Sequence, residues 1–202
     1  AELREQARWV IESYRQPALV ETYLPGREFT VGVLGNALSG GRRAWSALYD
    51  ERGYWVTPVL EIDVSPAADA GSPYCSHLKS DRPLDLDYLC PAPIDPRLAE
   101  EMQRLAVFAF EAIDALDVSR VDFRIGPDGR PYLMEINTLP GLNPVYSDIV
   151  MAARAGGVDY MALIHEILYL AAERQGLLGG ALAADGSPRS AFSLAGCREV
   201  VR

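Results

Sequence analysis

Cysteine is scarce: Cys75, Cys90 and Cys197 are the only three in 202 residues, and none stands in a C-x-x-C or Cys/His spacing. A disulfide framework and a zinc finger are thereby excluded, and a reducing compartment is the default. Histidine is scarcer still, and His77 and His165 are read as an ordinary loop residue and helix residue. No uninterrupted apolar run approaches the ~18 residues of a membrane span, and the first residues carry neither a basic cap with an apolar core nor a cleavage site. A soluble, cytoplasmic chain is expected. Basic charge is also in deficit, 19 Lys and Arg against 28 Asp and Glu for a net charge of −9, so the overall field repels nucleic-acid backbones and anionic membranes.

What is present is ordinary globular material, 49% hydrophobic and 23% charged, enough for one well-buried core. Apolar residues at helical spacing predict a helix over 2–14, stopped by Pro17. Two β-rich runs, 18–24 and 28–34, are joined by Pro25-Gly26 and read as a hairpin. Further strands are expected over 38–64, with turns at Gly40-Gly41 and Glu51-Arg52-Gly53 and with Trp45, Tyr49, Tyr54 and Trp55 on half-buried faces. From 65 to 93 the chain reads as a long surface loop, its 65–73 part small, polar and mobile in composition.

Asp95-Pro96 opens the clearest helix, with Leu98, Met102, Leu105, Phe108, Ala109, Ala112, Ile113 and Leu116 as one apolar stripe expected to pack across a sheet. Two later helices are marked over 148–155, ended by Gly156-Gly157, and over 160–175, capped by Asp159 and closed by Gly176. The remainder, 177–202, is a weakly patterned tail.

The segment richest in chemistry is SRVDFRIGPDGRPYLMEIN, residues 119–137. A two-residue turn at Asp128-Gly129, with Pro127 facing Arg130, sets Asp122 opposite Glu135 and Arg120 opposite Asn137, all four on one face. Val121, Phe123, Ile125, Tyr132, Met134 and Ile136 then point to the apolar side. Opposed carboxylates ~5 Å apart repel unless a cation lies between them, and oxygen donors from Asp122, Glu135 and Asn137 suit magnesium, which completes its shell with water and phosphate. The same spacing is also met if Arg120 and Arg124 simply neutralise the two acids on a solvated sheet face. Downstream, the glycine- and proline-rich loop 138–144 leads to a helix start, where backbone amides could meet an anion or merely connect elements.

Three blocks taken together, VETYLPGREFTVGVLG at 20–35, RVDFRI at 120–125 and YLMEINTLPGLNP at 132–144, resemble the C-terminal part of the D-alanine-D-alanine ligases, members of the ATP-grasp superfamily. The resemblance covers about residues 1–175, and it implies an α+β fold, the C-terminal ATP-grasp subdomain, with a largely antiparallel sheet backed by helices. It divides the chain into that domain over 1–176 and the tail over 177–202.

The resemblance implies that Asp122, Glu135 and Asn137 hold Mg2+, with Mn2+ able to substitute. It also implies that Glu21, Tyr23, Leu24 and Glu28 lie in the segment gripping adenine and ribose of ATP, with Met134 lining the adenine pocket. Arg120 matches a transition-state arginine that also contacts substrate, Gly141 a backbone donor to the acceptor substrate, and Lys79 a phosphate-contacting lysine of a mobile loop. The expected chemistry is attack of a carboxylate on the γ-phosphorus of ATP, giving an acyl phosphate that an amine then captures.

Four departures accompany it. The family's N-terminal substrate domain and glycine-rich-loop lobe have no counterpart here, so a missing lobe or partner chain is expected. The 38–64 stretch is longer than its equivalent, and Ser80 follows Lys79 where a tyrosine is common. Tyr146-Ser147 stands at the acceptor-carboxylate position, with Ser147 the substrate-binding candidate. Beside a D-alanine-D-alanine ligase of peptidoglycan biosynthesis, a dipeptide or other amino-acid ligase of secondary metabolism and a non-catalytic nucleotide-binding module are the other readings. A homodimer stays open.

Overall fold

A computed structural model of the chain describes residues 2–37, 48–63 and 87–177. Lys79 and Ser80, His77, Trp45, Gly40-Gly41, the 65–73 loop and the tail from 178 onward lie outside them. Helix α1 (Glu2–Tyr14) forms where its spacing predicts and buries none of its residues. The 18–24 run that follows is not a paired strand. The reason lies in strand β1 (Glu28–Gly35), both of whose edges are taken. Strand β5 (Val118–Ile125) runs antiparallel along one edge from Glu28 to Leu34. On the other, β2 (Tyr54–Val56) pairs with Val33 to Gly35, and β3 (Leu60–Asp63) pairs with Glu28 to Thr30. A hairpin partner for β1 has no edge to join.

With β4 (Asp87–Leu89) and β6 (Pro131–Asn137) the sheet has six strands in the order β4-β3-β1-β5-β6, with β2 also on β1. β4 falls inside the stretch expected as loop. It adds to β3 through Ile62 opposite Tyr88, and three residues are too few to display a period in sequence.

Helices cover both faces of the sheet, and β1 is accordingly buried almost end to end. On one face α2 (Pro96–Ala112) lies over β1, β5 and β6, and Met102, Ala106 and Phe110 meet Phe29, Val31, Val121 and Phe123. Its start is fixed as predicted, with the Asp95 carboxylate accepting from the Arg97 N–H at 2.8 Å. The buried row is not the whole predicted stripe. Phe108 is exposed, and Ile113 and Leu116 lie past the helix end and are exposed as well. The sheet selects the 102–106–110 row, successive residues four apart on one side of the helix, and leaves Leu98, Leu105 and Ala109 at its rim.

On the opposite face α3 (Asp148–Ala155) packs against β1 and β3, and α4 (Tyr160–Arg174) packs on α3. Gly32 makes this possible. A Cβ there would sit 2.8 Å from Thr57 Cγ2 and 2.9 Å from Ile149 Cγ1, so only glycine lets α3 rest this close to β1.

Ser119, on β5, is fully buried and its hydroxyl has no hydrogen-bond partner among the described residues. Such a group costs ~1–3 kcal/mol of desolvation, and Ser119→Ala is expected to leave the thermal midpoint unchanged or raise it. A lower midpoint in calorimetry would show that the hydroxyl is satisfied.

Candidate functional site

The β5–β6 hairpin builds the site by an unexpected route. Gly126 N–H donates to Arg130 O at 2.9 Å and Gly129 N–H to Gly126 O at 3.0 Å, so the loop is Pro127-Asp128-Gly129, three residues rather than two. Gly129 takes the positive φ of 75° that this turn requires. The Asp128 carboxylate accepts from the Arg130 N–H and from the Tyr132 hydroxyl, each at 3.1 Å. Those bonds hold its pKa below the ordinary carboxylate value and raise that of the Tyr132 phenol.

Near the turn the pairs are therefore shifted by one, with Ile125 opposite Pro131, Arg124 opposite Tyr132 and Phe123 opposite Leu133. A β-bulge then gives Met134 no partner of its own, and beyond it Asp122 faces Glu135 and Arg120 faces Asn137. The extra loop residue and the bulge cancel, which restores the site register. The apolar face is different from the expected one, however. Ile136 packs on the core, whereas Tyr132 is exposed because the longer turn sets it opposite Arg124, and Met134 is exposed because it is the bulged residue.

Around Asp122 the donors are dense. Arg120 Nε donates to Asp122 Oδ1 at 2.8 Å and Nη2 to Oδ2 at 2.7 Å. Thr30, opposite Asp122 on β1, donates its hydroxyl to Oδ1 at 2.6 Å. The Asn137 amide Nδ2 donates to Asp122 Oδ2 at 3.1 Å and to Glu135 Oε1 at 3.0 Å. One small donor within reach of both acids shows that the two carboxylates converge.

Arg120 Nη2 also lies 3.8 Å from Glu135 Oε1, and Nη1 lies 3.0 Å from Asp148 Oδ2. Burial opposes the charge on Arg120, but the Asp122 hydrogen bonds and the charges of Asp122, Asp148 and Glu135 outweigh it, and the pKa is raised. The cluster is graded in exposure. Asp148 has a wholly buried side chain at one end, and Glu135 is 62% exposed at the other.

Chemically the donor set is two carboxylates and an amide, with one guanidinium facing three acids. Among the described residues no three His, Cys, Asp or Glu side chains make a closed metal cage. The set fits a hard cation that keeps water and substrate oxygens in its shell, and it does not fit zinc. Asn137 would turn its carbonyl oxygen inward to join it.

Arg124, read from sequence only as a neutralising charge, ties the preceding segment to the sheet. Its Nη1 donates to Leu24 O at 2.9 Å, and Nε and Nη2 donate to Glu28 Oε2 at 3.0 and 2.9 Å. Leu24 and Glu28 are thereby held on the strand that carries Asp122, with Glu21 and Tyr23 exposed just before them. Met134 sits exposed at the bulge.

Gly141 lies by Ser147, where an added Cβ would be 3.1 Å from Oγ. The Ser147 hydroxyl is occupied within the loop, accepting from Asn143 N–H at 2.8 Å, and the residue is buried at the start of α3. Thr30 and Asp148 were not among the sequence candidates. A threonine in a strand and an aspartate at a helix start are each too common to signal a site, and only the crossing of β1, β5 and α3 gives them their place.

The model described as D-ala D-ala ligase C-terminus matches residues 56–169. The D-alanine-D-alanine ligase of Herminiimonas arsenicoxydans is 37% identical over 157 residues, 77% of this chain and 40% of that protein. Among solved structures, the D-alanine-D-alanine ligase of Coxiella burnetii superposes with a TM-score of 0.61 at 22% identity, covering 86% of this chain and 40% of the other. The Bacillus anthracis D-alanine-D-alanine ligase complexed with ATP gives 0.59 at 20% identity, covering 88% and 48%. The chain thus spans less than half the length of these relatives.

Proposed function

Because the chain belongs to the D-alanine-D-alanine ligase family, we propose that it supplies the magnesium- and nucleotide-holding part of an ATP-dependent ligase joining a carboxylate to an amine. The observation that carries this reading is the convergence of Asp122 and Glu135 on a single Asn137 donor beside Arg120. Asp122, Glu135 and Asn137 would hold Mg2+, or Mn2+ in its place. When bound, the ion supplies charge neutralisation and orientation for the phosphates of ATP.

The chain's own residues do the rest. Glu21, Tyr23, Leu24 and Glu28, with Met134, border the nucleotide. Arg124 keeps that segment against β5 through Leu24 O and Glu28. Arg120 spends part of its fork on Asp122 and Asp148, and its remaining N–H groups face negative charge that grows on the transferring phosphoryl and on the acyl carbon's oxygen. Lys79 adds a second cation. Gly141 and the loop shaped by Ser147 border the acceptor amine, and D-alanine as both partners is the first substrate pair to assay. The domain runs over 1–176. ATP supply puts the reaction in the cytoplasm, with peptidoglycan assembly consuming the product, and no helix among the described residues is long and apolar enough to cross a membrane. The missing family segments come from a further lobe or a partner chain.

Asp122→Asn and Glu135→Gln are expected to weaken Mn2+ binding to the chain, read by electron paramagnetic resonance, at least ~10-fold. Glu135→Gln should change melting little because Glu135 is 62% exposed, whereas Asp122→Asn should also lower the midpoint because it breaks the largely buried pair with Arg120. Unaltered Mn2+ titrations in both variants would overturn the assignment.

A further inference from the structure

Both oxygens of Asp122 are held by Arg120, so a divalent cation reaching Asp122 competes with a guanidinium for it. A flexible arginine that lost those two bonds would swing away from the place where it is needed. Asp148 offers Arg120 a second hold. It is the first residue of α3, a helix packed against β1 and β3 through the gap left by Gly32, and its side chain is wholly buried. Its Oδ2 lies 3.0 Å from Arg120 Nη1, the one guanidinium nitrogen that Asp122 does not engage.

Resting on the metal site proposed above, we propose that Asp148 is the positioning residue of this site: it keeps the Arg120 guanidinium in place while Asp122 turns to the cation. The two carboxylates divide the work by their surroundings. Asp122 is on the side of the site open toward Glu135 and Asn137, and can change partner. Asp148 sits on a fixed backbone in the core, and cannot. An aspartate in the first turn of a helix also complements the helix dipole, a purely structural role that would move melting alone. The two roles are therefore separable.

The test uses the full chain. In the wild type, the Arg120 Nε–H signal in nitrogen-15 NMR is expected to shift on Mg2+ addition and to stay sharp and protected, because Nη1 remains anchored. In Asp148→Asn, the Arg120 signal should vanish by exchange once Mg2+ is added, because Nη1 has lost its anchor. An Arg120 signal that stays sharp and protected in Mg2+-loaded Asp148→Asn would overturn the positioning role and leave the metal site standing. So would loss of the Arg120 signal in the wild type on Mg2+ addition, a measurement that does not depend on the variant folding. No Mn2+ binding by the wild type at all would overturn the metal site and this inference together.

Discussion

With the proposed ligase activity, Arg120→Ala is expected to lower turnover by ~10²–10³-fold, about 3–4 kcal/mol, the loss found when a donor to developing negative charge is removed. It should also destabilise the chain. Arg120 is 12% exposed and Asp148 not at all, and breaking such a buried pair from one side costs on the order of 3–5 kcal/mol. Arg120→Lys separates the two effects: a lysine keeps the charge but cannot bridge Asp122 and Asp148 with one planar fork, so melting should recover more than turnover. The double variant Arg120→Ala with Asp148→Asn should recover stability alone. Wild-type turnover in a folded Arg120→Ala protein would remove this side chain from the mechanism.

The partners of Arg120 also mark how far the sequence could be read. Asp122 and Glu135 were legible because their pairing within one hairpin is a local property of the chain. Even so, the turn was one residue longer than expected, and the correct pairing of Arg120 with Asn137 survived only because the bulge at Met134 took the extra residue back. Nothing in Tyr132, Leu133 or Met134 announces that bulge, since all three suit a regular strand. The 18–24 run failed for a different reason. Its composition is that of a strand, but pairing needs a vacant edge, and the occupancy of β1 is decided by segments some thirty and ninety residues away. Asp148 was recognised as a helix start and no more, because its approach to Arg120 depends on α3 crossing β1 at Gly32.

Helix α2 shows the same division between local and distant causes. Its boundaries follow from Asp95, Pro96 and the apolar spacing, all local. Which row is buried follows from the sheet beneath it, and that placed Ala106 and Phe110 in the core while leaving Phe108 in solvent. Function follows the fold here: the face of β5 opposite α2 carries Arg120 and Asp122, so packing on one face fixes the chemistry on the other.

That coupling makes Phe123 the most informative core position. It is fully buried, sits next to Asp122 in the chain, and pairs with Phe29 on one side and Leu133 on the other, where the bulge begins. Phe123→Ala is expected to cost about 3–5 kcal/mol and to lower the thermal midpoint by roughly 10 °C, since the close packing of α2 over the sheet leaves the cavity only partly able to collapse. Phe123→Leu, which keeps most of the volume, should cost less than about 1.5 kcal/mol. If the ring also holds the bulge in register, Mn2+ affinity in Phe123→Ala should fall several-fold more than in Phe110→Ala, which opens a similar void in the same core but lies on α2. Equal affinities in the two alanine variants would separate core packing from the register of Asp122 and Glu135, and the hairpin bonds alone would then account for the geometry of the site.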